Sequence, residues 1–230
     1  MNKILLTLFT FSYMLMADAL PNTIKTTIAS ITANGEIELS SSVPAGMSGI
    51  VIHNYGNGLS AISHATVSQG NAHASLSAYR AILHENIPNI QTEAKAGDKV
   101  IFGNFYNNAL VIAPNQTAYR AVTRQYQRTW VHPDAYALDF MKEDASTLNL
   151  ESLKKFAQRN QVGLVLIVAE NKLRILDPIS QQFVGESAFN VAQEGSVAPF
   201  YARFEQMDTS TFGFSGNNYT PYFQSVAGLQ

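Results

Sequence analysis

The stretch GDKVIFGNFYNNALVIAPN, residues 97–115, contains the change of pattern that decides the fold. Within it, residues 99–105 and 109–113 form two short, largely apolar segments. The Asn107-Asn108 pair between them predicts a tight hairpin, because asparagine tolerates a positive φ angle. Asn115 then follows a proline and can cap a helix. The stretch therefore predicts that a β-rich first half ends here and that helices begin.

The sequence before this stretch predicts an antiparallel sheet. Residues 23–31 alternate between polar and apolar and lead through Asn34-Gly35, a hairpin signal, into residues 36–39. Further strands are predicted at 49–53, 59–67 and 72–82; the last of these also has the features of a poor helix. Short strands with closely spaced turns favour a small barrel or a curled sheet.

Three helices are predicted after this stretch. The first extends from the Asn115 cap to about residue 128, the second begins at Pro133, and the third is capped by Asn149. Their expected apolar contacts are Ala118 and Val122 in the first, Tyr136, Phe140 and Met141 in the second, and Leu150, Leu153 and Phe156 in the third.

Strands return after the third helix, and the whole pattern predicts an α+β fold. The expected strands are 162–169, 173–176, 182–189 and about 200–207. The predicted fold has an antiparallel β-rich, barrel-like first half, and helices plus a β-meander in the second half. The expected divisions are a signal peptide at 1–17, a β-rich subdomain at 18–113, an α+β subdomain at 114–207 and an aromatic C-terminal arm at 208–230.

The first 17 residues predict a secretory signal peptide. Lys3 gives a positive start, residues 4–16 are an apolar run, and small residues follow at Ala17 and Ala19. This run is shorter than the roughly 20 residues that a membrane-spanning helix needs. We expect cleavage after Ala17 or after Ala19, a mature chain without a transmembrane segment, and an exported product in the periplasm or, alternatively, on the outer surface.

The composition excludes several classes of function. The 15 Lys and Arg residues against 17 Asp and Glu residues provide no attraction to nucleic acid, and the absence of cysteine excludes disulfides, thiolate metal sites and a cysteine nucleophile. Only 14% of the residues are charged. This low fraction favours surfaces covered by protein partners, including a second copy in an oligomer, although a lightly charged secreted monomer fits equally well.

The chemistry of an enzyme is not found in the sequence. The five histidines, His53, His64, His73, His84 and His132, lack the spacing of metal ligands. The segment 46–49 lacks the second glycine of a nucleophile elbow. Glu36 and Glu38 share one face of a single strand and have no opposing carboxylate partner. We therefore predict no catalytic residue, no metal and no cofactor, and expect that the protein is not an enzyme.

The C-terminal arm is the predicted site of intermolecular contact. Its rings stand in a Ser-, Gly- and Asn-rich background, where they can pack on the parent sheet or dock on a neighbouring subunit. The candidate contact residues are Phe212, Phe214, Tyr219, Tyr222 and Phe223.

The sequence resembles the N-terminal domain of the bacterial plasminogen-binding proteins. The resemblance spans nearly the whole mature chain, and its most specific part is the quoted stretch, where glycine, paired asparagines and Ala113-Pro114-Asn115 stand at fixed distances. Further matching segments are Val162-Gly163 and Pro199-Phe200-Tyr201-Ala202-Arg203. The resemblance implies an exported envelope or surface protein without a recognised catalytic centre.

Two functions follow from this reading. The resemblance implies recruitment of host plasminogen, whose kringle modules characteristically take lysine side chains; the candidates are Lys95, Lys99, Lys154, Lys155 and Lys172. The alternative is a periplasmic structural or scaffold subunit that binds the other subunits of a large envelope complex, such as the flagellar motor of Gram-negative bacteria. In both cases the protein is a non-catalytic protein-binding component of the cell envelope.

Overall fold

The computed structural model describes residues 20–32, 35–79, 92–142, 148–169, 171–190, 197 and 200–203. The strands are β1 (Ile24–Ile31), β2 (Glu36–Leu39), β3 (Ser48–Gly56), β4 (Leu59–Gly70), β5 (His73–Ala78), β6 (Lys99–Phe102), β7 (Asn108–Ile112), β8 (Thr129–Val131), β9 (Leu164–Ala169), β10 (Lys172–Asp177) and β11 (Gln182–Ala188). The helices are α1 (Gln116–Gln125), α2 (Pro133–Lys142) and α3 (Leu150–Asn160).

The first six strands form a closed antiparallel barrel in the order β1-β2-β5-β4-β3-β6, with β6 paired back to β1. Every second residue points inward because side chains alternate along a strand, and Ile28, Ile37, Val51 and Val100 are buried inside. The barrel-like first half is confirmed. The predicted hairpin of β1 and β2 is also confirmed. The segment that contains β5 was predicted as a strand, with a poor helix as the alternative, and β5 is a strand.

The predicted hairpin around Asn107-Asn108 is wrong. β6 belongs to the barrel, whereas β7 lies in a second sheet between β8 and β9, and residues 103–107 form the turn that joins the two. The paired asparagines bind these new neighbours: the Asn107 carbonyl accepts from the Thr129 amide at 2.8 Å, and the Asn108 carbonyl accepts from the Gly163 amide at 2.9 Å. The backbone carbonyls of the two asparagines therefore serve a long-range junction, which local sequence does not reveal.

The second sheet has the order β11-β10-β9-β7-β8. The predicted meander is present, since β9, β10 and β11 pair antiparallel in sequence order. β8 and β9 both pair parallel to β7, and each is reached through helices. The parallel strands were not predicted, partly because the first helix was expected to continue to residue 128. It ends at Gln125, and Tyr126 is already extended.

Alternate residues of the second sheet face two different hydrophobic cores. Val111 and Leu166 belong to the core that the sheet shares with the barrel interior and with α1. Leu110 and Ile167 belong to the core on the opposite face, under α2 and α3. The sheet is therefore the middle layer between the barrel with α1 on one side and two helices on the other.

The helix starts follow the sequence closely. The Asn115 and Asn149 side chains accept from the amides of Ala118 and Ser152, each at 2.8 Å, and so cap α1 and α3 as predicted. Ala118 and Val122 in α1, Tyr136 in α2, and Leu153 and Phe156 in α3 are buried, and Leu150 is half-buried.

Two expectations in the second half are corrected. Met141 was expected to be an apolar contact but is 44% exposed, because it lies about 140° around α2 from the buried Tyr136. Residues 200–203 form no strand, since Phe200 is buried in the second core instead. The side chain of Phe140 and residues 204–207 lie outside the described residues.

Several expectations fall where the structure gives no description. The signal peptide at 1–17 and the arm at 208–230 lie wholly outside the described residues. The division between residues 113 and 114 stays a prediction, while the passage from barrel to second sheet occurs earlier, between Phe102 and Asn108. Within the described ranges, no helix is long and apolar enough to cross a membrane.

Candidate functional site

A groove of about 640 Å³ on the outside of the barrel carries two lysines, and we refer to it as the lysine groove. Lys25 of β1 and Lys99 of β6 are exposed, and half-buried Ile52 and Ile101 contribute apolar surface between the polar walls. The remaining lining residues are Thr26, Thr27, Ser40, Ser41, Asn54, Ser60 and Val100.

The strand pattern places the two cations on one face. In the antiparallel β1–β6 pair, Lys25 lies opposite Ile101 and Thr27 lies opposite Lys99, so the two lysines are diagonal neighbours, roughly 7–8 Å apart at the backbone. The alternate residues of β6, Val100 and Phe102, point into the barrel and are fully buried. Burial of this inner face therefore fixes the outward direction of both lysines.

Hydroxyl pairs shape one wall of the lysine groove. Thr27 Oγ1 and Ser40 Oγ are 2.8 Å apart, and Ser41 donates to Thr26 Oγ1 at 2.9 Å. Among the residues that the structure describes, none that lines the groove is acidic, and neither Lys25 nor Lys99 forms an ion pair. Both ammonium groups are thus available to a carboxylate from outside.

The other predicted lysines are distributed over the surface. Lys95 is exposed in the turn before β6, and Lys155 is exposed on α3. Lys172 lies on β10, away from the lysine groove, and its Nζ is 2.6 Å from Glu186 Oε1. Of the five predicted lysines, the structure thus brings only Lys99 into the lysine groove. Among the described residues Lys99 has no ion-pair partner, whereas Lys172 has one in Glu186.

Lys154 lines a second cleft, of about 530 Å³, between the barrel strands β3 to β5 and α3. Ser48, Tyr106 and Ser180 also line this cleft. The Ser48 and Ser180 amides and the Tyr106 hydroxyl all donate hydrogen bonds to the carboxylate of the fully buried Asp177. This polar set therefore has a structural role at the junction of barrel and sheet. The cleft offers Lys154 as its cation.

Lys25 was missed by sequence reasoning. It is a single lysine within an alternating strand and carries no local motif. The usable signal is its register against Lys99, which requires knowledge that β1 and β6 close the barrel. The predicted contact aromatics, Phe212, Phe214, Tyr219, Tyr222 and Phe223, lie outside the described residues and stay a prediction.

Two of the histidines each contact one aspartate. His53 Nδ1 is 2.8 Å from Asp98 Oδ1, and His132 Nδ1 is 3.1 Å from Asp134 Oδ1. Over the described ranges, no group of three His, Cys, Asp or Glu residues is placed to hold a metal ion. His84 lies outside these ranges.

Comparisons with known proteins identify the family to which the chain is similar. The family model described as plasminogen-binding protein pgbA N-terminal matches residues 23–227. The chain is 29% identical over 167 residues to the plasminogen-binding protein PgbA of Helicobacter pylori strain J99, and 28% identical over the same length to that of strain 26695. Each match covers 70% of this chain and 36% of the relative. No solved structure matches.

Proposed function

The chain belongs to the family of the plasminogen-binding protein pgbA N-terminal domain, and from this premise we propose that it is an exported, non-catalytic protein that binds plasminogen through the lysine groove. The names of both relatives support plasminogen as the partner. The observation that carries the choice of site is the pair of exposed lysines, Lys25 and Lys99, on one face of the barrel without an ion-pair partner among the described residues.

A kringle that takes lysine side chains needs an ammonium group that is not already neutralised. Lys172 must give up its bond to Glu186 before it can bind elsewhere, so even the weak stabilisation of an exposed ion pair opposes its release. Lys25 and Lys99 have no such bond to lose in the described part of the chain, and their stems lie beside apolar Ile52 and Ile101. Two adjacent cations also raise the local positive potential toward an acidic partner surface.

Binding of plasminogen to the purified mature chain tests this function. We expect saturable binding in surface plasmon resonance that a soluble lysine analogue abolishes. The Lys25→Gln/Lys99→Gln variant should bind about tenfold more weakly, whereas Lys172→Gln, which removes a paired lysine, should bind as well as the wild type. Binding no stronger than that of an unrelated exported protein, or binding that the analogue leaves unchanged, would reject plasminogen as the partner.

The two lysine variants separate the site from the function. If the wild-type chain binds and responds to the analogue but the double variant binds equally well, the lysine groove is rejected while plasminogen binding stands. The Lys154→Gln/Lys155→Gln variant then tests the cleft beside α3. Circular dichroism of each variant establishes that the barrel has folded.

Export is tested on the native protein. We expect the N-terminus of the cellular product to begin after Ala17 or after Ala19, and protease treatment of intact cells to degrade a surface product but spare a periplasmic one. An uncleaved product in the cytoplasm would contradict export. Neither comparison favours the envelope-machine subunit, so plasminogen binding is the function put forward.

A further inference from the structure

The carboxyl ends of β7 and β8 open onto a crevice that the chain itself fills. The connection after β7 leads to α1 on the barrel side of the second sheet, whereas the connection after β8 leads to α2 on the opposite side. In open sheets with parallel strands, ligands bind in the crevice that such diverging connections leave. Residues 200–203, which we call the strap, lie at this place.

The first half of the strap is held by burial of Phe200 and by hydrogen bonds of Tyr201 to the segment that runs from β7 into α1. Phe200 is fully buried and stacks on Tyr136 with 5.5 Å between ring centroids. The Tyr201 amide donates to the Ala113 carbonyl at 2.8 Å, just beyond the end of β7. The Tyr201 hydroxyl accepts from Gln116 Nε2 at 3.1 Å.

Two aromatic rings flank the tyrosine of the strap. The Tyr201 ring lies 5.4 Å from the ring of Tyr119 on α1 and 6.3 Å from that of His132 at the end of β8, centroid to centroid. Tyr119 and His132 are themselves 5.3 Å apart. Such tilted ring arrangements are favourable beyond simple burial, so the crevice selects an aromatic side chain at this position.

The arginine of the strap is bound to Asp134 through its backbone and through its side chain. The Arg203 backbone amide donates to Asp134 Oδ1 at 2.8 Å, and its Nε donates to Asp134 Oδ2 at 2.6 Å. The Asp134 side chain is only 16% exposed, whereas that of Arg203 is 66% exposed. The largely buried Asp134 carboxylate, in the first turn of α2, is thus the fixed partner of this contact, and Arg203 lies on its solvent side.

We infer that this crevice is a peptide-binding site for an extended segment in which an arginine follows an aromatic residue by two positions, with the strap as its occupant within the chain. The contacts to Ala113, Tyr119, His132 and Asp134 read the backbone, the ring and the guanidinium of such a segment. A partner protein that carries this pattern can take the place of the strap. This activity is separate from plasminogen binding by lysines, because none of these residues lies in the lysine groove.

A fluorophore-labelled peptide that copies residues 197–205, VAPFYARFE, tests the inference by fluorescence anisotropy. The full-length Arg203→Gln variant weakens the strap but leaves the crevice intact, and it should bind this peptide about tenfold more tightly than the wild type. The Asp134→Asn/Arg203→Gln variant lacks the carboxylate and should lose this gain. A matched peptide with glutamine in place of arginine should bind Arg203→Gln about tenfold more weakly than the original peptide.

Two results would overturn the inference. One is a folded Arg203→Gln variant, judged by circular dichroism and melting temperature, that fails to bind the peptide. The other is equal binding of the arginine and glutamine peptides. Hydrogen exchange on the wild-type chain gives a second reading that does not depend on variants: excess peptide should speed exchange of the Tyr201 amide as the strap leaves, and an unchanged rate would equally overturn the inference.

Discussion

The Tyr106 hydroxyl donates a hydrogen bond of 2.7 Å to the Asp177 carboxylate, and both side chains are buried where the barrel meets the second sheet. Burial raises the pKa of Tyr106 well above its ordinary value of 10, and the negative charge of Asp177 adds to this effect. The hydroxyl therefore remains the donor at all physiological pH values. Asp177 also accepts from the amides of Ser48, Ile179 and Ser180.

Tyr106→Phe should lower the free energy of unfolding by about 1–3 kcal/mol, because it removes one donor from a buried carboxylate and leaves the others in place. Urea unfolding followed by circular dichroism measures the loss. Tyr126→Phe is the matched control, since that hydroxyl accepts only a 3.1 Å bond from its chain neighbour Gln125 among the contacts described. Equal losses in the two variants would show that the Asp177 bond has no special weight.

Gly163→Ala should destabilise the chain by about 3 kcal/mol. A Cβ at this position would lie 2.3 Å from the backbone carbon of Phe105 and 2.4 Å from its carbonyl oxygen, and backbone atoms cannot swing aside. Gly35→Ala is the comparison: its Cβ meets no atom of the described residues within 4 Å, and its φ of 78° opposes alanine by about 1 kcal/mol. Thermal melts of both variants test the difference, and a Gly35 loss as large as the Gly163 loss would contradict it.

His132 should make stability depend on pH in the mildly acidic range. Burial lowers its pKa below the ordinary 6.5, although the nearby Asp134 charge opposes this. In the neutral ring Nδ1 accepts from the Asp134 amide at 3.2 Å, whereas the Asp134 carboxylate, 3.1 Å from the same nitrogen, favours the protonated ring. The unfolded chain therefore binds the proton more readily, so the stabilisation is complete above pH 6.5 and is lost as pH falls from there through the lower folded pKa.

Replacement of His132 by glutamine checks this titration. Melting temperatures between pH 8 and pH 5 should fall less steeply for His132→Gln than for the wild type. Gln158→Ala, at an exposed position that does not titrate, should keep the wild-type slope. A His132→Gln slope identical to that of the wild type would remove the proposed role of this ring.

Asn149→Ala should cost about 1 kcal/mol of unfolding free energy, because the cap bond to the Ser152 amide is lost at the start of α3. Gln158→Ala on the exposed side of the same helix should change it by no more than about 0.5 kcal/mol. Urea titrations of the two variants provide the measurement. A cap variant as stable as the Gln158 variant would show that the helix start is held by packing alone.

The parts of the fold that depend on neighbours in sequence could be predicted. Alternation identified β1 and β2, and the asparagine caps identified the starts of α1 and α3, because each signal acts within a few residues. The pairing of β7 could not be predicted. Its partners β8 and β9 follow it only after intervening helices, and an Asn-Asn pair is equally suited to a hairpin turn and to a junction of strands.

The same limit applied to the candidate site. Lys99 was one of five candidate lysines named from the sequence, and Lys25 becomes its neighbour only when the last barrel strand returns to the first. The strap was predicted as part of a strand because residues 200–203 are apolar and aromatic enough for one. Its position is fixed by hydrogen bonds to Ala113 and Asp134, which lie more than sixty positions earlier in the chain.

The closed ring of the barrel limits how a partner can read the lysine groove. At Lys99 the backbone of β6 is paired on both sides, to Thr27 of β1 and to Ile52 of β3, so it offers no free edge there to which a peptide could add itself. Recognition at Lys99 must therefore work through side-chain charge and shape. A flat or globular partner is suited to such a surface, and changing the main-chain conformation of the partner would affect its affinity far less than changing its acidic residues.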